Sequence, residues 1–260
     1  TEADNWAIFG TAKRFGKKNK HIITTAIEHH AILHCMKELE TQGFEVTYLQ
    51  PNQLGQISTE DLKAALRKDT CLVCVMMVNN EVGSVMPIEK MAKLTHRMCP
   101  DALFHTDAVA AIGHIPVDVK TLGVDLLSAS AHKFGGAKGV GFLYIKKGTS
   151  LLPLLDGGGQ ENGLRAGTEN VAAIVGMAAA LQSHVTHMEE RRAHLEEVKA
   201  EKRTMVFYEA PHKLLNTLED LRDAFGADRG ISLCRELTKL HEEVVRTTLG
   251  EAIEKYTANA

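Results

Sequence analysis

The sequence predicts an α/β fold: a mostly parallel sheet with helices on both faces. Three observations carry this expectation. Strand-like and helix-like stretches alternate over the first two-thirds of the 260 residues. Several of the strands are continuous apolar runs, as strands covered on both faces are. The composition, 44% hydrophobic and 24% charged, is that of an ordinary globular protein and excludes wholesale disorder.

Residues 6–15 read as a short helix, and His21-Ile22-Ile23-Thr24-Thr25 as a strand. Residues 31–42 have helical periodicity and stop at Gly43, a common C-terminal signal. Residues 44–49 alternate like a strand, and Ser58-Thr59-Glu60-Asp61 offers a cap to a helix over 62–66. The apolar run 71–78 reads as a buried strand. Pro87 opens a helix that runs to about Cys99, with Pro100 beyond it. Residues 103–107, 125–129 and 141–145 are further strands. Residues 170–202 read as one long helical stretch, apolar and then charged. After it come a strand over 204–208 and helices over 213–225 and 235–245.

Charge and cysteine usage narrow the function classes. A net charge of −3 from 30 basic and 33 acidic residues leaves no electrostatic footprint for nucleic acid. There is no apolar run of about 18 residues to span a membrane. The acidic start, Thr1-Glu2-Ala3-Asp4-Asn5, is not a signal peptide, and without an initiator Met the chain reads as processed or as a fragment. Five scattered cysteines point to a reducing, cytoplasmic setting. Cys71 and Cys74 match C-x-x-C but lie within a strand, where residues three apart point to opposite faces, so a structural role is expected.

In a parallel sheet, ligands sit beyond the carboxyl ends of the strands. The segments there are Glu28-His29-His30, Asn79-Asn80-Glu81, His105-Thr106-Asp107, and Ser128 to Lys133 followed by a glycine-rich turn. Singly each is weak: a lysine at a strand end is usually a solvated surface residue, and an aspartate there usually forms a turn. Together they match one chemistry. An aldehyde cofactor needs a lysine amine for a Schiff base, an acid beside its pyridine nitrogen and donors for its phosphate. Lys133, Asp107 and the Ser130/His132 pair supply these, and His29 offers a ring face. A rival metal site at His30 and His34, spaced i, i+4, lacks any nearby residue to complete a ligand set. The glycine-rich turn follows Lys133 rather than preceding it, so it is not a phosphate-binding loop of the G-x-x-x-x-G-K type.

Residues 1–199 resemble the cysteine desulfurases of the class V aminotransferase family, which use pyridoxal 5′-phosphate. The resemblance rests on TEADN at Thr1, AIEHHAI at Ala26, NNEVG at Asn79 and HTDAV at His105. SASAHKFGGAKGVGFLYIKKG at Ser128 and GGGQENGLRAGTENVAAI at Gly157 complete it, in the family's order. It implies that Lys133 forms the Schiff base, that Asp107 pairs with the ring nitrogen and that Asn80 bonds the ring hydroxyl. It further implies that His29 stacks on the ring and moves protons, and that Thr1, Ser130 and His132 bind the phosphate. Thr168 would reach the phosphate of a neighbouring subunit, making a homodimer. The implied reaction removes sulfur from L-cysteine to give L-alanine and an enzyme persulfide. A sulfur-acceptor or iron–sulfur scaffold protein would be the partner.

Departures from the pattern set further expectations. Ala110 stands where the family has a glutamine that contacts the ring hydroxyl, a loss of about 1 kcal/mol for one neutral hydrogen bond. The family's N-terminal segment is not seen before Thr1. Its C-terminal domain, with the persulfide cysteine loop and the arginine for the substrate carboxylate, is not seen either. Cys234 lies in surroundings that do not match that loop, so turnover by this chain alone is not expected.

From about residue 201 the chain resembles instead the latter part of a ribosomal RNA ribose 2′-O-methyltransferase of the tetrapyrrole methylase superfamily. TMVFYEAPHKLLNTLEDL at Thr204 and RELTKLHEEVVRTTLGEAIE at Arg235 carry it. Glu209, Arg235, Glu236, Lys239 and His241 are its candidate site-facing residues, against a plainer reading as capped helices and a solvated charged face. Two segments are therefore expected, a cofactor-binding domain over 1–200 and a methyltransferase-like segment over 201–260. Methyl transfer from S-adenosylmethionine, or a non-catalytic chimera, is the alternative to sulfur transfer.

Overall fold

The computed structural model describes residues 1–15, 20–207, 214–235 and 243–257. They form two compact units, Thr1–Met188 and Glu189–Ala260.

In the first unit a six-stranded sheet has the order β2-β1-β3-β4-β5-β6. Its strands are β1 (His21–Thr25), β2 (Glu45–Leu49), β3 (Thr70–Cys74), β4 (Leu103–Asp107), β5 (Leu126–Ser130) and β6 (Gly141–Ile145). The first five run parallel, and β6 returns antiparallel to β5 through the glycine-rich turn. This is the mostly parallel sheet that the sequence predicts. The helices are α1 (Glu2–Phe15), α2 (His30–Thr41), α3 (Thr59–Ala65), α4 (Ile88–Met98), α5 (Val119–Leu122) and α6 (Val171–Thr186).

Every residue of β1 and of β3 is buried, the polar His21, Thr24, Thr25 and Thr70 at their ends included, as in a sheet covered on both faces. Successive side chains divide between two cores, as the strand period of two requires. Ile23, Val73 and Phe104 pack with Met91 of α4, whereas Ile22 and Leu72 pack with Ile8 of α1 and Ile32 and Met36 of α2. Cys71 and Cys74 both fall in the second core, so the expected split to opposite faces does not separate them. Cys71 sits at the strand's start, where the pairing with β1 shifts register. Both thiols are inert packing groups: burial pushes Cys71 up to about 12 and Cys74 well above the usual range.

The strand expected over 71–78 ends at Cys74, but the chain keeps alongside β4. Val75 N–H donates to His105 O at 3.1 Å and Met77 N–H to Asp107 O at 2.8 Å. The long helix expected over 170–202 is broken: α6 is capped at its start by Asn170 and ends at His187, and α7 (Met188–Lys199) follows.

In the second unit, α8 (Leu214–Phe225) and α9 (Leu249–Thr257) close over a hairpin of β7 (Gly230–Arg235) and β8 (Glu243–Thr248). Its small core is Leu218, Leu249, Ala252 and Ile253. Two expectations fail here. Residues 204–207 form no strand, and Tyr208 lies outside the described residues. Of the helix expected over 235–245, Arg235 instead ends β7 and 243–245 open β8, where β-branched Ile231, Val244 and Val245 suit a strand, and 236–242 lie outside the described residues. Glu209, Glu236, Lys239 and His241 lie outside the described residues. Among the described residues no single helix is long and apolar enough to cross a membrane.

Candidate active site

His29, Asn80, Asp107, Ser130, His132 and Lys133 lie at or just beyond the ends of four neighbouring strands, β1, β3, β4 and β5, whereas Thr1 and Thr168 come from elsewhere in the chain. At the usual spacing the ends span roughly 14 Å, the scale of one small cofactor.

Beyond β1, His29 caps α2. Its Nδ1 accepts the Ala31 N–H at 3.1 Å, so the neutral ring carries its proton on Nε2. Beyond β3, Asn79 rather than Asn80 is the anchor. Buried Asn79 accepts the N–H groups of Glu81 at 2.8 Å and Val82 at 2.9 Å, and donates to Ile27 O at 2.9 Å. It thereby ties the loop after β3 to the loop after β1. Asn80 is exposed at the tip, with Nδ2 donating to Glu81 Oε1 at 3.0 Å. The ring-hydroxyl contact expected of Asn80 is a separate role from this anchoring of the loop, which the sequence reading did not assign.

Beyond β4, Asp107 is 5% exposed, and its Oδ1 accepts the Val109 N–H at 2.8 Å. Burial, reinforced by the negative charge of Asp4, pushes Asp107 up to about 7, while Lys133 pulls it back. Beyond β5, Ser130 Oγ and His132 Nδ1 are 2.9 Å apart. Lys133 follows in the 3-10 turn Ala131–Phe134, which Gly135 closes at φ 77°. Gly136 permits the turn to fold back, since a Cβ there would lie 2.9 Å from that of Ala131. His114 Nε2 donates to the Lys133 carbonyl at 3.1 Å and steadies the turn.

Thr1 and His29 line one cleft of about 440 Å³, together with Asn5, His30, His34 and Cys35. Ala110 is the residue three beyond Asp107 and brings no donor. Thr168 lies in the exposed stretch after the 3-10 turn Gln160–Gly163. That stretch is pinned by Arg165, whose Nε donates to Glu2 Oε1 at 2.8 Å, next to Thr1. Asp4, Glu28, Cys74 and His105 are further buried groups; the burial of Cys74 was expected from the apolar run 71–78, and that of Asp4 was not foreseen. Glu28 accepts from Thr25 Oγ1 and from Met76 N–H, each at 2.8 Å, and burial pushes it up to about 8. His30 and His34 touch edge to face, and no group of three or more ligating side chains is placed to hold a metal among the described residues.

The donor set matches a phosphate-bearing aromatic aldehyde. A buried carboxyl needs a cation in front of it, an amine lies close enough for its charge to be felt there, and hydroxyl and imidazole groups stand at the rim. Comparison with known proteins decides the family: the aminotransferase class-V family matches residues 1–224. The chain belongs to that family.

The class-V match runs past residue 200, the boundary read from the sequence. Cysteine desulfurase IscS of Dictyoglomus turgidum is 52% identical over 199 residues, covering 76% of this chain and 50% of its own. A solved NifS-like protein aligns with a TM-score of 0.76 at 32% identity, covering all of this chain and 80% of its own. A structure of SspA in complex with cysteine aligns with a TM-score of 0.67 at 41% identity, covering 70% of this chain and 52% of its own. The chain spans about half the length of the curated relatives it matches. Pyridoxal 5′-phosphate is the cofactor of this class-V group, and the strand-end residues fit it.

Proposed function

We propose that this chain carries the cofactor site of a cysteine desulfurase, which removes sulfur from L-cysteine to give L-alanine. The single observation behind the reading is the placement of Lys133 and buried Asp107 just beyond and at the ends of the adjacent strands β5 and β4, where the Lys133 charge lowers the cost of ionising Asp107. When bound, pyridoxal phosphate supplies an electron sink that loosens bonds around the substrate's α-carbon. Lys133 would hold the cofactor's aldehyde through its amine. Asp107 holds the proton on the ring nitrogen. Ser130, His132 and Thr1 take the phosphate. His29 would offer its ring face to the cofactor and move a proton at Nε2. Asn80 reaches the ring hydroxyl once it lets go of Glu81, and Ala110 adds no second bond there.

In the overall reaction the substrate's C–S bond breaks, the sulfur joins an enzyme thiol as a persulfide, and the carbon gains the proton. A sulfur-acceptor or iron–sulfur scaffold protein is the proposed recipient, in the cytoplasm. A homodimer is part of the proposal, with Thr168 reaching a second copy's phosphate. It is supported by the apolar residues that α6 leaves open, Val171 and Val175, which are 65% and 62% exposed. The different origin of residues 201–260, and with it a chimeric chain, rests on their sequence motifs alone. No observation in the structure favours methyl transfer.

Titration with pyridoxal 5′-phosphate, read by visible absorption, tests the proposal. The expected result is a band that Lys133→Ala abolishes and that L-cysteine shifts. A band unchanged by Lys133→Ala, or no band at all, overturns it.

A further inference from the structure

The turn that carries Lys133 is braced from outside by a side chain that the chemistry above does not use. Within the turn, the N–H groups of Gly135 and Gly136 both donate to the Ala131 carbonyl, the second at 2.8 Å. The Lys133 carbonyl takes its bond from elsewhere, as the last carbonyls of a short helix must. Its donor is His114 Nε2, at 3.1 Å. His114 sits in the turn that follows Asp107. There the Ala111 and Ile112 N–H groups donate to Ala108 O, each at 2.9 Å, and those of His114 and Ile115 to Ala111 O, each at 3.0 Å. Gly113 lets this turn close against the lysine turn: its φ is 83°, and a Cβ there would lie 3.0 Å from that of Phe134. The His184 ring of α6 meets the His114 ring edge to face, with centroids 6.1 Å apart. A neutral imidazole has one N–H, so the bond to Lys133 O fixes the His114 proton on Nε2. His114 itself is exposed, so it holds no core together.

We infer that His114 is a positioning residue that acts through Lys133. It joins the turn after Asp107 to the turn that carries Lys133, and so sets the lysine's backbone relative to the carboxyl at the neighbouring strand end. The sheet ties the starts of the two turns together, with Ala108 N–H donating to Ser128 O at 3.0 Å. Beyond that point, His114 is a direct bond from one turn to the other. In the capture of an aldehyde, the neutral Lys133 amine adds to the aldehyde carbon, a C=N bond replaces C=O, and water leaves. That step depends on where the lysine backbone stands. A ligand held by its ring and phosphate alone makes no such demand. His114 therefore favours ligands that Lys133 captures covalently. The inference rests on the pyridoxal-phosphate reading.

The test compares wild type, His114→Leu and His114→Gln. Leu fills the space without a donor, and Gln carries an N–H at nearly the reach of Nε2. Each is titrated by calorimetry with pyridoxal 5′-phosphate and with 4′-deoxypyridoxine 5′-phosphate, in which a methyl group replaces the aldehyde. His114→Leu is expected to bind pyridoxal phosphate about three- to tenfold more weakly, the effect of one neutral hydrogen bond. It should bind the deoxy analogue as wild type does, and His114→Gln should recover most of the loss. A merely structural His114 would weaken both ligands alike. That result, or a His114→Leu that binds pyridoxal phosphate as wild type does, overturns the inference. Wild type that forms no visible band with pyridoxal phosphate overturns the pyridoxal-phosphate reading, and the inference with it. If His114→Leu fails to fold by circular dichroism, imidazole ¹⁵N NMR of wild type decides. An Nε2–H tautomer of His114 whose signals move with pyridoxal phosphate and not with the deoxy analogue supports the inference. An Nδ1–H tautomer, or equal responses to the two ligands, overturns it.

Discussion

Replacing Glu28 by Gln should make the protein more stable in mild alkali while leaving its stability in mild acid nearly unchanged. Glu28 is 4% exposed, and its Oε2 has no hydrogen-bond partner among the described residues. Burial raises it from an ordinary 4.5 to about 8. The folded state therefore holds a proton that the unfolded chain releases, and stability falls as pH rises between those two values. At about 1.36 kcal/mol for each pH unit, the loss by pH 8 is on the order of 5 kcal/mol. Gln keeps an oxygen for Thr25 Oγ1 and Met76 N–H and has no proton to lose. Asp107 titrates in both proteins and cancels in the comparison. Urea unfolding at pH 5, 6.5 and 8 measures the difference. Near equality at pH 5 and a gap of several kcal/mol in favour of the variant at pH 8 are expected. Parallel curves across the range would refute the reasoning.

Three further outcomes follow from the packing. Phe104 is fully buried in the core beneath β4, so Phe104→Ala should cost about 3–5 kcal/mol in urea unfolding. Gly141→Ala places a Cβ 2.5 Å from the Ala129 carbonyl, so it should loosen the β5–β6 pair and cost about 1–3 kcal/mol, read as a lower melting temperature. Asp125 bonds His96 at 2.7 Å and the Phe104 N–H at 2.8 Å, and these bonds hold its carboxyl below the usual range although burial works against them. Its contribution is present above the unfolded carboxylate value and is lost as pH falls through the folded one. Asp125→Asn should therefore flatten the acid limb of a melting-temperature profile between about pH 5 and 3.

The sheet was legible because burial on both faces leaves a plain trace: β1, β4 and β6 have the bounds that the apolar runs gave. The strand-end rule then located Asp107, Ser130 and Lys133 without any partner being visible. What stayed hidden depends on tertiary contact. Asn79 and Asn80 are the same residue type, and only the bond to Ile27 O across the loops shows which one anchors. Asp4 read only as part of an acidic start, yet on α1 it is buried. The second unit was misread where propensities are mixed. Residues 243–245 carry a glutamate and two valines, which suit a helix or an edge strand, and pairing with β7 decides.

Borohydride reduction in the presence of pyridoxal 5′-phosphate, followed by peptide mass mapping, reads the central claim most directly. One pyridoxyl group per chain on Lys133, lost in Lys133→Ala with the fold intact, is the predicted result. Label spread over other lysines, or a Lys133 peptide left unmodified at saturating cofactor, would contradict it.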